Sequence, residues 1–131
     1  MSDSVADELA IRKIVAQYCH LCDDGRLTEL VELFTPDGVF TFGTEHRGSV
    51  AMAAFFDDTQ GDPRKRGRHL TVNTDVDVDG DTARAVSDFL FMKVRESGPV
   101  ITILGRYNDT LRRDGGRWQF ARRDVEVAQR P

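Results

Sequence analysis

An α+β fold is predicted, with three N-terminal helices packed on a curved, mainly antiparallel sheet. Three observations carry that expectation. Up to Phe56 the apolar residues recur mostly at three- and four-residue steps, the helical period. From Arg68 onward they alternate with polar ones over four long runs, the period of strands. Those runs are joined by Gly-containing turns with hairpin chemistry. The 131 residues, 40% hydrophobic and 31% charged, suit one domain spanning 1–131.

Each element has its own signal. In residues 5–22, Val5, Leu9, Ile11, Ile14, Val15, Tyr18 and Cys22 mark a helical face. Asp23-Asp24-Gly25 stops that helix, with Gly25 suited to the left-handed conformation of a C-terminal cap. Asp24 is expected to cap a short second helix that turns Leu27, Leu30, Val31 and Phe34 inward. Thr35-Pro36-Asp37-Gly38 reads as a turn and Val39 to Phe42 as a short strand. After a loop at Glu45 to Gly48, Ser49 is expected to cap a third helix that buries Val50, Ala53, Ala54 and Phe56. The polar stretch 57–67 contains Gly61, Pro63 and Gly67 and reads as a mobile loop. Strands follow at 68–78, 82–95, 100–113 and 117–127, a four-stranded meander.

Charge and composition exclude several classes. A net charge of −4 speaks against a nucleic-acid binder. No apolar run reaches the roughly 18 residues of a membrane span. The acidic N-terminus lacks the basic-then-apolar layout of a secretory signal, so a cytoplasmic location is expected. Cys19 and Cys22 form a C-x-x-C near a helix C-terminus, where the helix dipole disfavours a thiolate. No second close pair follows for zinc, and the two read as buried packing thiols. Asp75-Val-Asp77-Val-Asp79-Gly80 imitates the start of a calcium loop, but its twelfth position is Val86, which cannot ligate. Neither metal nor organic cofactor is expected.

Five motifs in order carry a family resemblance: Tyr18-x4-Asp23-x-Gly25, Leu33-Phe34-Thr35-Pro36-Asp37-Gly38-Val39-Phe40, Arg68-His69-Leu70-Thr71-Val72-Asn73, Gly105-Arg106-Tyr107-Asn108-Asp109 and Gly116-Arg117-Trp118. Over nearly its whole length the chain resembles the SnoaL-like branch of the NTF2-like superfamily, whose members form a cone of helices over a bent sheet. Within it the chain looks nearest to scytalone dehydratase and bile-acid 7α-dehydratase relatives, which act without a cofactor through a Tyr, an Asp and a His. That resemblance lays the catalytic roles on Tyr18, Asp23 and His69. A further group one strand later falls on Asp88, with Ser87 and Phe89 as alternative occupants. The second His that scytalone dehydratase carries near there is missing. The superfamily also holds ketosteroid-isomerase-like enzymes, polyketide cyclases and the non-catalytic β subunits of ring-hydroxylating dioxygenases, so the fold alone assigns no activity.

Each candidate has a plain structural reading beside the chemical one. Asp23 is at home in a turn. Tyr18 suits an apolar core. On a continuous helix the two are also about 140° apart, so a shared pocket requires the helix to end or bend between them. Alternation puts Leu70, Val72, Val76 and Val78 on one face of their strand, and His69, Thr71, Asn73 and Asp75 on the other, either a solvated stripe or a pocket wall. A bulge would change which face His69 shares. His20 and His46 read as helix-surface and loop residues. The run Arg64-Lys65-Arg66-Gly67-Arg68 reads as solvated loop or as a guide for an anionic substrate. Arg122 and Arg123 invite the same second reading, while Trp118 and Phe120 mark core.

Together these features lead to an expected lyase or isomerase acting on a hydroxylated, carbonyl-activated polycyclic or aromatic small molecule. His69, oriented by Asp23 or Asp88, removes a proton α to the carbonyl. Tyr18 donates to the developing enolate oxygen. In a dehydration His69 then protonates the leaving hydroxyl. Phe34, Phe40, Phe42, Phe55 and Phe89 would supply a dry pocket. The alternative is a non-catalytic ligand-binding or subunit-assembly module, resembling the dioxygenase β subunits and marked by a closed pocket or by His69 facing solvent or a subunit interface. A homo-oligomer, dimer or trimer, is expected in either case, because helices cover only one face of the sheet.

Overall fold

Asp3 accepts hydrogen bonds from the backbone N–H groups of Val5 and Ala6, and so starts helix α1 (Ser4–Asp24). Gly25, at φ 70°, ends it in the left-handed conformation. This computed structural model describes residues 3–128. After α1 come α2 (Leu27–Glu32), β1 (Phe34–Phe42), β2 (Thr44–Arg47), α3 (Gly48–Gln60), a 3-10 turn (Pro63–Lys65), β3 (Arg68–Asp79), β4 (Thr82–Arg95), β5 (Gly98–Asp114) and β6 (Arg117–Val127). The six strands form one sheet in the order β2-β1-β6-β5-β4-β3. Only β1 and β6 run parallel.

The later hairpins match the alternation closely, whereas the segments between α1 and β3 depart from it. Arg26, not Asp24, precedes α2, and no side chain caps that helix; Asp24 is still within α1. Thr35 to Gly38 are part of strand β1. Phe34 and Val39 both pair with β6, so the turn-forming residues between them become a bulge rather than a reversal. Glu45 to Arg47, expected in a loop, pair with β1 as the edge strand β2.

Helix α3 has no side-chain cap at Ser49, and its buried face differs from the expected one. Val50 is 87% exposed, and Ala53 and Ala54 face outward. Phe56 is buried as expected, and its partners on that face are Met52 and Gln60, each four residues away. Much of the presumed loop is ordered by the helix continuing through Gln60 and by the 3-10 turn, which Asp62 caps at the Arg64 N–H.

Bulges bend the sheet around the helices. The consequential one lies in β3, between Val72 and Asp75, where Asn73 takes φ 54°. Before it, His69 and Thr71 turn toward α1, leaving Leu70 and Val72 partly exposed outside. After it the parity reverses, and Val76 and Val78 face the core. One strand thus presents polar groups inward at one end and apolar groups inward at the other. The core between helices and sheet is rich in aromatic residues, and the Tyr18 ring contacts those of Phe40, Phe56, Tyr107 and Phe120. Among the described residues no helix is long and apolar enough to cross a membrane.

Candidate active site

β3 is an edge strand, so its outer backbone groups lack a neighbouring strand, and α1 packs along it. Asp23, near the end of α1, meets that edge. Its carboxylate accepts the His69 backbone N–H at 3.0 and 3.2 Å and lies 2.6 Å from His69 Nδ1. One side chain therefore both closes the strand edge and holds the imidazole. An ionised carboxylate only accepts, which puts a proton on Nδ1 and leaves the other ring nitrogen, Nε2, as a base. The pair is nearly enclosed, with the His69 and Asp23 side chains 9% and 6% exposed.

The 140° between Tyr18 and Asp23 is real, because α1 is continuous through both. They do not meet side by side. Tyr18 points into the cone and Asp23 points at β3, with His69 between them. The Tyr18 and His69 rings stand edge to face at 6.2 Å. Both line one cavity of about 410 Å³, and Asp23 supports His69 from behind that wall. Phe40, Phe42, Phe55 and Phe89 also line it, with Phe91 tilted against the imidazole at 4.6 Å. Burial pushes the Tyr18 hydroxyl well above its ordinary range, so it remains a phenol able to donate.

Two expected site residues lie elsewhere. Asp88 does not enter the cavity. It sits on the outer face of β4, bonded to Arg106 Nε at 2.8 Å and Asn73 Nδ2 at 3.1 Å. Its neighbours Ser87 and Phe89 are the residues that point inward, because side chains alternate along a strand. Phe34 packs on Phe120 in the core and borders a different groove, between α2 and α3.

Tyr107 carried no assigned role in the sequence, and Arg123 only that of an anion guide. Tyr107 lines the cavity, stacked on Phe89 at 4.1 Å, and burial raises its hydroxyl too. Its signal was the alternation Gly105, Tyr107, Asp109, Leu111 along β5, which faces all four inward. Arg123 is no anion guide: it is fully sealed, bonded to Asp109 at 2.8 and 3.0 Å. Its guanidinium lies 4.3 Å over the Tyr18 ring and 3.7 Å over Tyr107. Burial by itself works against that charge, but the Asp109 carboxylate outweighs it and holds the guanidinium protonated.

The basic run is mostly tied down, Arg64 on Asp62 and Arg66 on the Gln60 and Gly61 carbonyls, while Lys65 reaches the cavity rim. His46 is half-buried on β2, its ring 4.4 Å from Phe55. Both cysteines are buried free thiols, Cys19 with Thr71 Oγ1 at 3.0 Å, and burial raises both. Asp75 and Asp77 face solvent on β3.

The protein is thus a helical cone closed over a bent sheet, with an aromatic hollow and a carboxylate-held imidazole on its wall. Residues 3–124 match the model of the SnoaL-like domain, and the chain belongs to that family. No curated protein matches it. Among solved structures it is similar to Rv3472, a protein of unknown function from Mycobacterium tuberculosis. That likeness is at 29% identity over 97% of this chain and 75% of that one, with a TM-score of 0.90. Two proteins of Novosphingobium aromaticivorans share the fold. One is a provisionally assigned scytalone dehydratase, 23% identical over 96% of this chain and 87% of that one, TM-score 0.84. The other is the β subunit of a provisionally assigned aromatic-ring-hydroxylating dioxygenase, 20% identical over 98% and 93%, TM-score 0.82.

Proposed function

We propose that this protein is a lyase or isomerase that uses acid–base chemistry, without a cofactor, on a carbonyl-activated aromatic or polycyclic small molecule bearing a hydroxyl. One observation carries the reading: Asp23 holds His69 Nδ1 at 2.6 Å while the ring itself, with Tyr18, lines an aromatic cavity. His69 Nε2 takes the proton α to the carbonyl, and Asp23 stabilises the imidazolium that results. Tyr18 donates its hydroxyl to the oxygen on which negative charge grows. In a dehydration the imidazolium returns its proton to the departing hydroxyl, so the carbon–oxygen bond breaks with loss of water. The phenylalanine walls keep bulk water away and strengthen each of these contacts.

A silent assembly module, the role suggested by the dioxygenase β subunit, would be favoured by a filled pocket or a solvent-facing imidazole. The open cavity and the 9% exposure of the His69 side chain support the acid–base reading over it. The test is exchange of the α protons of 2-tetralone in heavy water, followed by proton NMR. The parent protein is expected to accelerate exchange above buffer and His69→Ala to return it to the buffer rate. A parent protein that gives no acceleration with any of a panel of aromatic ketones would sink the proposal.

A further inference from the structure

Charge is unevenly spread over this acidic chain: four of the five residues from Arg64 to Arg68 are cations. The fold fastens that run beside the His69 cavity. Arg66 Nε donates to the Gln60 backbone carbonyl at 2.7 Å, and Arg66 Nη2 to that of Gly61 at 3.1 Å. The same guanidinium lies against Gly25, where any Cβ would collide with it. Gly67 in turn packs so closely on β4 that a Cβ there would strike the Met92 carbonyl. The run is thereby tied to the ends of α1 and α3 and to β4.

Two lysines beside this junction, Lys65 and Lys93, line the cavity. Lys65 Nζ donates to the Asp58 carbonyl at 2.8 Å, which leaves two of the three donors of its ammonium free for another acceptor. Lys93 follows the inward-facing Phe91 by two residues. The extra residue at the nearby bulge is Thr102 on β5, so β4 keeps its alternation and Lys93 leaves the strand on the cavity side. It is half-buried and makes no hydrogen bond or ion pair among the described residues. Val94, the next residue, is exposed, so the strand is emerging into solvent here. A lysine without a carboxylate partner keeps its head where water or an anion reaches it, while its methylene stem covers apolar wall. Among the described residues lining the cavity, Asp58 is the one acid against these two cations.

We propose that the cavity takes an organic acid, with its aromatic frame in the hollow and its carboxylate held at the rim by Lys65 and Lys93. The ligand of the proposed function is then narrowed to a carbonyl-activated aromatic or polycyclic compound that bears an acidic group away from the reacting carbon. A charge anchored at the rim also sets which end of the frame enters. The inference rests on the cavity being the ligand site, as in the proposed function, but not on the reaction performed there.

The test compares 2-naphthoate with 2-naphthamide, nearly identical in shape and uncharged, by NMR titration of the full chain. The parent is expected to bind the naphthoate about tenfold more tightly in dilute buffer, the scale of two partly exposed ion pairs. Salt at about 0.5 M should cut that preference to about threefold or less. Lys93→Met should lower it to about threefold, and adding Lys65→Met should abolish it. Lys13→Met, which removes the same charge from a separate groove along α1, should leave it unchanged. Gln replaces Met at both cavity positions if the double variant does not fold. Equal binding of the two probes by the parent, a preference that survives in the double variant or in salt, or an equal loss in Lys13→Met overturns the assignment. Failure of both probes to bind the parent overturns the cavity reading with it. Intact selectivity in a protein that exchanges no α proton removes the reaction alone.

Discussion

Two buried pairs of a carboxylate with a nitrogen base, Asp109–Arg123 and Asp23–His69, have opposite characters. Asp109 and Arg123 are both 0% exposed, joined by two hydrogen bonds, with the guanidinium lying over the Tyr18, Tyr107 and Phe120 rings. Asp23 and His69 are nearly as deep, yet the far side of the imidazole borders a cavity. The acids are of one kind; what differs is whether the base has a second face that a ligand can reach. A sealed pair can only stabilise or specify the fold, whereas a pair with one open face can exchange a proton. Arg123 also cannot give its proton up near neutral pH, and imidazole can.

Variants of the two pairs sharpen that contrast. The largest effect on folding is expected at the sealed pair: Arg123→Met strands the Asp109 carboxylate and should cost about 3–5 kcal/mol by urea unfolding. Adding Asp109→Leu should recover most of it, since an apolar pair of similar volume replaces a buried ionic one. A loss below about 1 kcal/mol in the single variant would show the pair to be better solvated than its burial indicates.

At the open pair the effect should appear in rate instead. His69→Ala should lower tetralone exchange by about 10²–10⁴-fold, with a smaller change in unfolding midpoint than Arg123→Met. Tyr18→Phe should lose about 10²–10³-fold, because it removes one donor to the developing oxyanion. Asp23→Asn keeps the imidazole but loses the carboxylate that orients it, so a loss of about tenfold to a hundredfold is expected. Equal midpoint shifts for His69→Ala and Arg123→Met, with no change in rate for the former, would erase the distinction between the pairs.

The smallest effect belongs to Asp88, the acid on the outer face. Asp88→Asn should leave the exchange rate unchanged. Hydrogen bonds from Arg106 first and Asn73 second hold its carboxyl below the ordinary range. A depressed value means that its contribution to stability is present above the unfolded carboxylate range and is lost as pH falls through the folded value. The Asn variant should therefore show a shallower loss of thermal stability below about pH 4 than the parent.

Legibility in the sequence followed the strength of local signals. The four long strands and α1 were readable because their periods are sustained and their ends carry Gly or Asp. α3 was readable as a helix but not as a face, since Val50, Ala53 and Ala54 are as plausible a buried stripe as Met52 and Phe56. Gln60 was hidden because its polar neighbours made the end of that helix resemble loop. Asp88 could not be told from Ser87 and Phe89, because one residue of register reverses every side chain. The bulge at Asn73 is the same difficulty within a single strand.

The sequence by itself determined the order of the helices and of the four long strands, the acidic character and, through the family resemblance, the three groups proposed for proton transfer. The first two depend on composition and short-range period and the third on motifs in order, all of which a linear text contains. Only the tertiary structure decided that Asp23 grips His69 while Asp88 stays outside, and that Arg123 is sealed away. Those outcomes depend on how a strand edge, a bulge and a helix end meet across the core, and such long-range contacts leave no local periodic trace.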